Sequence, residues 1–251
     1  MDLRDKTAFV TGGSGDIGRA IALALAAAGV DVAISYVGHK DGALSTAAAI
    51  AATGARSLVV QLDQRDPTGI DGSVDQVLAG LGRVDILVNN AGWNIGIPFA
   101  ALDELTADVW NRVLETNLRG PYLLSRAFAP HLRAHGAGRI VNIASVGGLL
   151  PSSSSIAYSA SKAGLIHLTR CLAVALAPTV TVNCVAPGLV EGTRIAGRLP
   201  PEVAEGARRQ AVLGRTASVE DIATQVLTFC RADSITGQLL VVDGGMPGGM
   251  R

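Results

Sequence analysis

Short unbroken apolar runs, each followed by a helical stretch, most constrain what this chain can fold into. The runs are TAFVTGG at 7–13, VDVAISYV at 30–37, SLVVQLD at 57–63 and VDILVNNAG at 84–92. GRIVNIAS at 138–145, TVTVNCVAPG at 179–188 and QLLVVDGG at 238–245 complete the set. Taken together they are continuous apolar runs rather than alternating ones, so both sheet faces are expected to be covered, as in a parallel sheet. Between them, 18–29, 41–53, 68–80, 103–134, 156–177 and 218–231 read as helices. Regular strand–helix alternation specifies an α/β fold, a doubly wound parallel sheet of about seven strands with helices on both faces. No linker, repeat or composition break divides residues 1–251, so one domain is expected. In such sheets ligands bind beyond the carboxyl ends of the strands, and the chemistry is sought there.

Apolar residues make up 49% of the chain and charged ones 17%, which excludes a disordered chain. Twenty-one basic side chains balance 21 acidic ones, so there is no positive excess for nucleic acid. The longest apolar runs, such as IALALAAAGV, are too short to span a bilayer. Residues 1–7 carry four charges and do not read as a signal segment. Cys171, Cys184 and Cys230 are an odd set without paired spacing, which suits a reducing compartment; a cytoplasmic protein is expected. His131 with His135, and His167 with Cys171, have helical i,i+4 spacing. Neither pair has a third ligand near in sequence, so no metal site is expected.

The first strand ends in glycines, T-G-G-S-G-D-I-G from Thr11 to Gly18. Glycines at a strand-to-helix turn let a pyrophosphate approach the backbone and the N–H groups of the helix start, the Rossmann-type arrangement for a dinucleotide. An acid about 20 residues on would hold a ribose 2′-hydroxyl. Here that place reads Ser35-Tyr36-Val37-Gly38-His39-Lys40. Without the acid, His39 or Lys40 can pair with a 2′-phosphate, which favours NADP(H), with NAD(H) the other possibility.

Tyr158 and Lys162 stand four residues apart on one helix face. A phenol titrates near pH 10, about three units above neutrality, and a neighbouring ammonium lowers that value. Tyr158 is thereby a candidate for proton transfer. Ser145 closes the fifth strand, where its hydroxyl can hold a substrate oxygen. Pro121 has no N–H to donate to the carbonyl of Asn117, four residues earlier, so that carbonyl is free to bind water. The chain has neither the G-x-S-x-G elbow of a serine hydrolase nor a G-K-[ST] phosphate loop.

Over nearly its full length the chain resembles the short-chain dehydrogenase/reductase family, single-domain type, including its 3-oxoacyl-carrier-protein reductase-like carbonyl reductases. The resemblance rests on Thr11-Gly12 to Gly18, Asp63, Asn89-Asn90-Ala91-Gly92, Asn117, Ser145, Tyr158, Lys162, Asn183 and Pro187-Gly188. It implies that Tyr158 is the acid/base, that Lys162 lowers its pKa and binds the nicotinamide ribose, and that Ser145 orients the carbonyl. The Asn117 carbonyl would hold a relay water. Cofactor contacts are expected from Gly12, Ser14, Asp16, Ile17, Gly18, Tyr36, His39, Lys40, Asp63, Asn90, Ala91 and Gly92. Tyr158, Lys162, Pro187, Gly188, Val190 and Thr193 complete that set. The family loop is T-G-x-x-x-G-x-G, so Asp16 replaces its middle glycine; its carboxylate is expected to point away from the pyrophosphate. The family threonine comes four residues after the glycine of Pro187-Gly188, whereas here Gly192 holds that place and Thr193 follows. A homotetramer built on the two long helices and the last strand is also implied.

In similar proteins the segment 189–214 forms a lid, for which Ile195, Ala196 and Leu199 offer an apolar inner face. Arg194, Arg198, Arg208 and Arg209 could bind an acidic substrate, but solvated helix charges are the first reading. Residues 146–157, with the run SSSS at 152–155 read as a flexible loop, offer a small apolar or hydroxylic pocket for a neutral ketone. Trp93, directly after Gly92, reads equally as pocket lining or core. The expected activity is therefore an NADP(H)-dependent carbonyl reductase or alcohol dehydrogenase acting on a small molecule. The alternatives are a 3-oxoacyl-carrier-protein reductase of fatty-acid synthesis and a non-catalytic nucleotide-sensing scaffold. The uncharged turn Ala177-Pro178-Thr179 speaks against a carrier protein, while Arg133 and Arg139 speak for one.

Overall fold

The computed structural model describes residues 1–151, 154–194 and 196–247. Seven strands are β1 (Thr7–Val10), β2 (Asp31–Tyr36), β3 (Ser57–Gln61), β4 (Ile86–Asn89), β5 (Gly138–Ile143), β6 (Val180–Pro187) and β7 (Leu239–Val242). They form one parallel sheet in the order β3-β2-β1-β4-β5-β6-β7. The apolar runs have the consequence expected of them. Successive residues point to opposite faces, so Phe9, Leu87 and Ile140 enter one core. Their neighbours Val10, Val88 and Val141 enter the other.

Eight α-helices lie among the described residues: α1 (Asp16–Ala27), α2 (Lys40–Ala51), α3 (Pro67–Leu81), α4 (Ala107–Leu114), α5 (Gly120–Ala134), α6 (Ile156–Leu176), α7 (Pro201–Gln210) and α8 (Val219–Arg231). Ile21 and Leu25 of α1 pack with Ile222, Val226 and Phe229 of α8 over one sheet face. Val74 and Val77 of α3, Leu124 and Phe128 of α5, and Leu172 and Leu176 of α6 cover the other. Each such side chain, fully buried, contributes about 1.5–3 kcal/mol relative to exposure.

Two expected elements differ. The helix read over 103–134 is a short 3₁₀ turn at Leu102–Glu104, then α4, a π-type turn over Glu115–Arg119 and α5. The SSSS run is not simply a loop. Ser155 is buried and caps α6, its Oγ accepting from the N–H of Tyr158 at 3.2 Å. The carbonyl of Ser154 accepts from Ile97 N–H at 2.8 Å. Ser152 and Ser153 lie outside the described residues.

Sheet order turns about β1, with β2 on one side and β4 on the other. Chain connections diverge there, so a crevice opens above the carboxyl ends of β1 and β4.

Candidate active site

The glycine loop is fixed from three sides. Gly12 N–H donates to Ser35 Oγ at 3.2 Å and Gly13 N–H to the Ser35 carbonyl at 2.9 Å. Thr11 Oγ1 accepts from Asn90 N–H at 3.0 Å and Ala91 N–H at 2.9 Å, and Asn90 Nδ2 donates to the Thr11 carbonyl at 2.9 Å. Gly12 has φ +69°, and a Cβ on Gly18 would stand 2.3 Å from the Gly12 carbonyl oxygen. Glycine is required at both places. Helix α1 starts at Asp16 after Gly15 with no side-chain cap. The first N–H groups of a helix have no intrahelical acceptor and favour an anion.

A cavity of about 700 Å³ runs from this loop across the strand ends. It is lined by Gly12, Ser14, Asp16, Ile17, Gly18, Tyr36, His39, Asp63, Asn90, Ala91, Gly92, Ser145, Tyr158, Lys162, Pro187, Gly188, Val190 and Thr193. Its size, its glycine-built wall and the uncapped helix start fit a dinucleotide. Lys40, expected among the cofactor contacts, is exposed in the first turn of α2 and is not among the residues lining the cavity. Gly192 takes φ +77°, and Thr193 still reaches the cavity, its Oγ1 donating to the Val190 carbonyl at 2.8 Å. Asp63 is held by Arg65 through three contacts of 2.6–3.1 Å, and this ion pair keeps its carboxyl below the usual range.

At the other end Tyr158, in the first turn of α6, meets Ser145. The Ser145 side chain hydrogen-bonds the Tyr158 hydroxyl and accepts from Gly147 N–H at 3.1 Å. A Cβ on Gly148 would lie 2.6 Å from the Lys162 carbonyl carbon, so only glycine lets this turn press against α6. Lys162 is buried and donates from Nζ to the Ile143 carbonyl at 2.8 Å. Its Nζ lies 5.6 Å from the Tyr158 ring centroid. The depressed tyrosine pKa read from spacing is not what this arrangement gives. Burial pushes the Tyr158 phenol up, and the Ser145 hydrogen bond pulls it only part of the way back. Burial brings the Lys162 ammonium down to about 8. The protonated phenol is thus the resting form at neutral pH, a proton donor beside a hydroxyl.

Asn117 is buried inside the π-type turn and does not line the cavity. Pro121 cannot donate to its carbonyl, and the ladder widens: Gly120 N–H reaches the Glu115 carbonyl instead. Its side chain ties three segments together. Oδ1 accepts from Trp93 N–H at 2.8 Å, while Nδ2 donates to the Trp93 carbonyl at 2.8 Å and to Ser161 Oγ at 3.1 Å. Gln64, a residue the sequence did not flag, braces the same turn. Its Nε2 donates to the carbonyls of Thr116 at 2.6 Å and Ala91 at 3.1 Å. Trp93 does line the cavity, with Arg112 4.1 Å over its ring.

The lid departs most from expectation. Ala196 lines the cavity but Leu199 does not, and Ile195 lies outside the described residues. Nor do the described residues of 146–157 line it. Arg208 and Arg209 are exposed helix charges, as read, though paired with carboxylates, while Arg194 lies outside any helix. Arg208 grips Glu191 at 2.5 and 2.8 Å, Arg209 stands 3.6 Å from Glu205, and Arg194 binds Asp16. The Asp16 carboxylate is therefore turned to the lid backbone rather than left bare.

The family model for short chain dehydrogenase matches residues 6–204. The chain is 38% identical over 245 residues to cis-4-hydroxycyclohexanecarboxylate dehydrogenase of Sinomonas cyclohexanicum, covering 96% of each. It is 36% identical to 3-oxoacyl-acyl-carrier-protein reductase of Staphylococcus aureus, covering 96% of this chain and 98% of that one. A short chain dehydrogenase from Burkholderia cenocepacia in complex with NADP superposes with a TM-score of 0.89 at 38% identity, over 98% of this chain and all of the other. NAD⁺-bound xylitol dehydrogenase superposes with a TM-score of 0.91 at 27% identity, over 98% of this chain and 100% of that one. The chain belongs to the short-chain dehydrogenase family and is an oxidoreductase of that type, which sets aside the non-catalytic scaffold.

Replacing Tyr158 by Phe should lower carbonyl-reducing turnover by about 10²–10⁴-fold with cofactor affinity kept. Steady-state rates beside an equilibrium titration check this, and full turnover in Tyr158→Phe would remove the tyrosine from the chemistry. Unfolded Lys162 holds its proton to about pH 10.5 and the folded one only to about 8. Folding releases a proton between those values, so this site adds stability as the pH climbs from 8 towards 10.5. Melting temperatures of wild type and Lys162→Met across that window should diverge accordingly; parallel curves would refute the buried ammonium.

Proposed function

We propose that the chain reduces small ketones, or oxidises the matching secondary alcohols, with NADP(H). The observation carrying this reading is the Ser145–Tyr158 hydrogen bond opening into the same cavity as the glycine loop. The cofactor, when bound, supplies or accepts the hydride at the carbonyl carbon. Ser145 holds the carbonyl oxygen, and Tyr158 Oη donates its proton to that oxygen as the carbon is reduced. In the reverse direction the phenolate takes the proton back. Lys162, anchored on the Ile143 carbonyl, keeps a positive charge beside the phenol below about pH 8 and lowers the cost of the phenolate. The Asn117 carbonyl, to which Pro121 offers no N–H, is the relay point from Lys162 to water.

Preference for the phosphorylated cofactor is supported by the end of β2, where Ser35 to His39 offer no carboxylate and His39 lines the cavity. Arg65, Arg112, Arg194 and Arg198 also line it, against Asp16 and Asp63. A carrier-protein substrate is the second reading, favoured by the 36% identity to a 3-oxoacyl-acyl-carrier-protein reductase. Against it, Arg139 is buried, with its guanidinium on the Cys230 and Gly138 carbonyls and on Asp233. Of the two arginines read as carrier contacts, that leaves the exposed Arg133. A small-molecule substrate therefore ranks first.

The proposed assembly is a homotetramer on α5, α6 and β7, where Tyr122, Val174 (82% exposed) and Leu240 present apolar surface. The proposed setting is the cytoplasm, where the free Cys171, Cys184 and Cys230 stay reduced.

Titration with NADPH and NADH, followed by turnover on a ketone panel and on an acyl-carrier-protein thioester, tests the activity. Tighter NADPH binding with faster turnover of a free ketone is expected; turnover of the thioester alone would give the second reading. Light scattering should find four copies of the 25.6 kDa chain, and a 25.6 kDa particle would overturn the tetramer.

A further inference from the structure

Arg194 follows Thr193 on the segment after β6, yet its side chain ends on the glycine loop, 178 residues away. Its N–H donates to Asp16 Oδ2 at 2.8 Å, and its Nε lies 3.6 Å from the same oxygen. Nη2 reaches the Ser14 carbonyl at 3.4 Å and Nη1 reaches His39 Nδ1 at 3.4 Å. His39 Nδ1 is itself 3.3 Å from the Ser14 carbonyl. Nη2 also lies 3.6 Å from where a Cβ on Gly15 would stand, so the loop has no side chain of its own between them.

The guanidinium thus bridges the glycine loop and His39, in the short connection between β2 and α2. In a doubly wound sheet that corner takes the adenosine ribose: an acid there holds a 2′-hydroxyl, and a cation holds a 2′-phosphate. The tip of Arg194 has only long contacts, to one neutral carbonyl and one imidazole. Such contacts at 3.4 Å are weak, and a phosphate offers the planar fork a much stronger partner. The arginine is 55% exposed on its side chain, so a ligand reaches it. Asp16, whose carboxylate would repel a cofactor phosphate if bare, is used instead on the backbone and Nε of Arg194.

We propose that Arg194, with His39, is the specificity-determining contact for the cofactor's adenosine 2′-phosphate, brought in by the lid segment, and that Asp16 is the residue that positions it. The assignment rests on the NADP(H) reading above.

The test is equilibrium fluorescence titration of wild type, Arg194→Ala and Asp16→Ala with NADPH and with NADH. Adenosine 2′,5′-bisphosphate and AMP serve as competitors without a nicotinamide. Arg194→Ala should raise the Kd for NADPH and for the bisphosphate about ten- to a hundredfold. The Kd for NADH and AMP should move less than twofold. Asp16→Ala should weaken NADPH in the same sense. If wild type shows no NADPH preference, the NADP(H) reading and this inference both fall. If wild type prefers NADPH and Arg194→Ala keeps the preference, or loses both cofactors equally, the inference alone falls. If Asp16→Ala tightens both cofactors, Asp16 is a repelling charge and not a positioning residue.

Discussion

The close approach of α1 to the loop after β1 governs where everything else can stand. With a Cβ of Gly18 only 2.3 Å from the Gly12 carbonyl oxygen, nothing larger than hydrogen fits. Pressed in this way, the helix start faces the cavity with its N–H groups, and Asn90 and Ala91, just after β4, can reach Thr11 of the same loop. The crevice between β1 and β4 is thus walled by backbone rather than by side chains. A charged ligand there meets oriented dipoles that need no rearrangement.

The proton-transfer corner follows a different logic. Lys162 is buried and Tyr158 half-buried, and the loss of water around them disfavours the charged form of each. The corner compensates with fixed partners: the Ile143 carbonyl for the ammonium and the Ser145 hydroxyl for the phenol. Behind it, Asn117, Ser161 and Gln64 tie the π-type turn to α6 and to the segment after β4. These polar groups are satisfied by backbone groups and by the Asn117–Ser161 bond, which ties α6 to the strand ends.

Much of the site can be read in the sequence because its geometry is local. Tyr158 and Lys162 share a face because a helix repeats every 3.6 residues. Glycines, Ser145 and Asn90 fall at strand ends because strands are short and parallel. Pro121 signals a disturbed helix because a proline lacks a donor, yet the sequence suggests a kink where the chain makes a wider turn. Lys40 sits beside His39 in sequence, but the start of α2 turns it to solvent, and adjacency says nothing about that.

The sequence by itself determined the strand–helix order, the two-faced core and the residue types at each strand end, since these depend on hydrophobic period and on single-residue backbone chemistry. Tertiary structure alone decided which distant groups meet. Arg139 resembles a surface charge until β5 and the end of α8 enclose it. Asp16 looks like a flaw in a phosphate loop until Arg194 arrives from the lid. Gln64 has no motif and becomes a brace only when β3, β4 and the π-type turn converge. A side chain's electrostatic role depends on what surrounds it within a few ångströms, and those neighbours come from parts of the chain that no local pattern links.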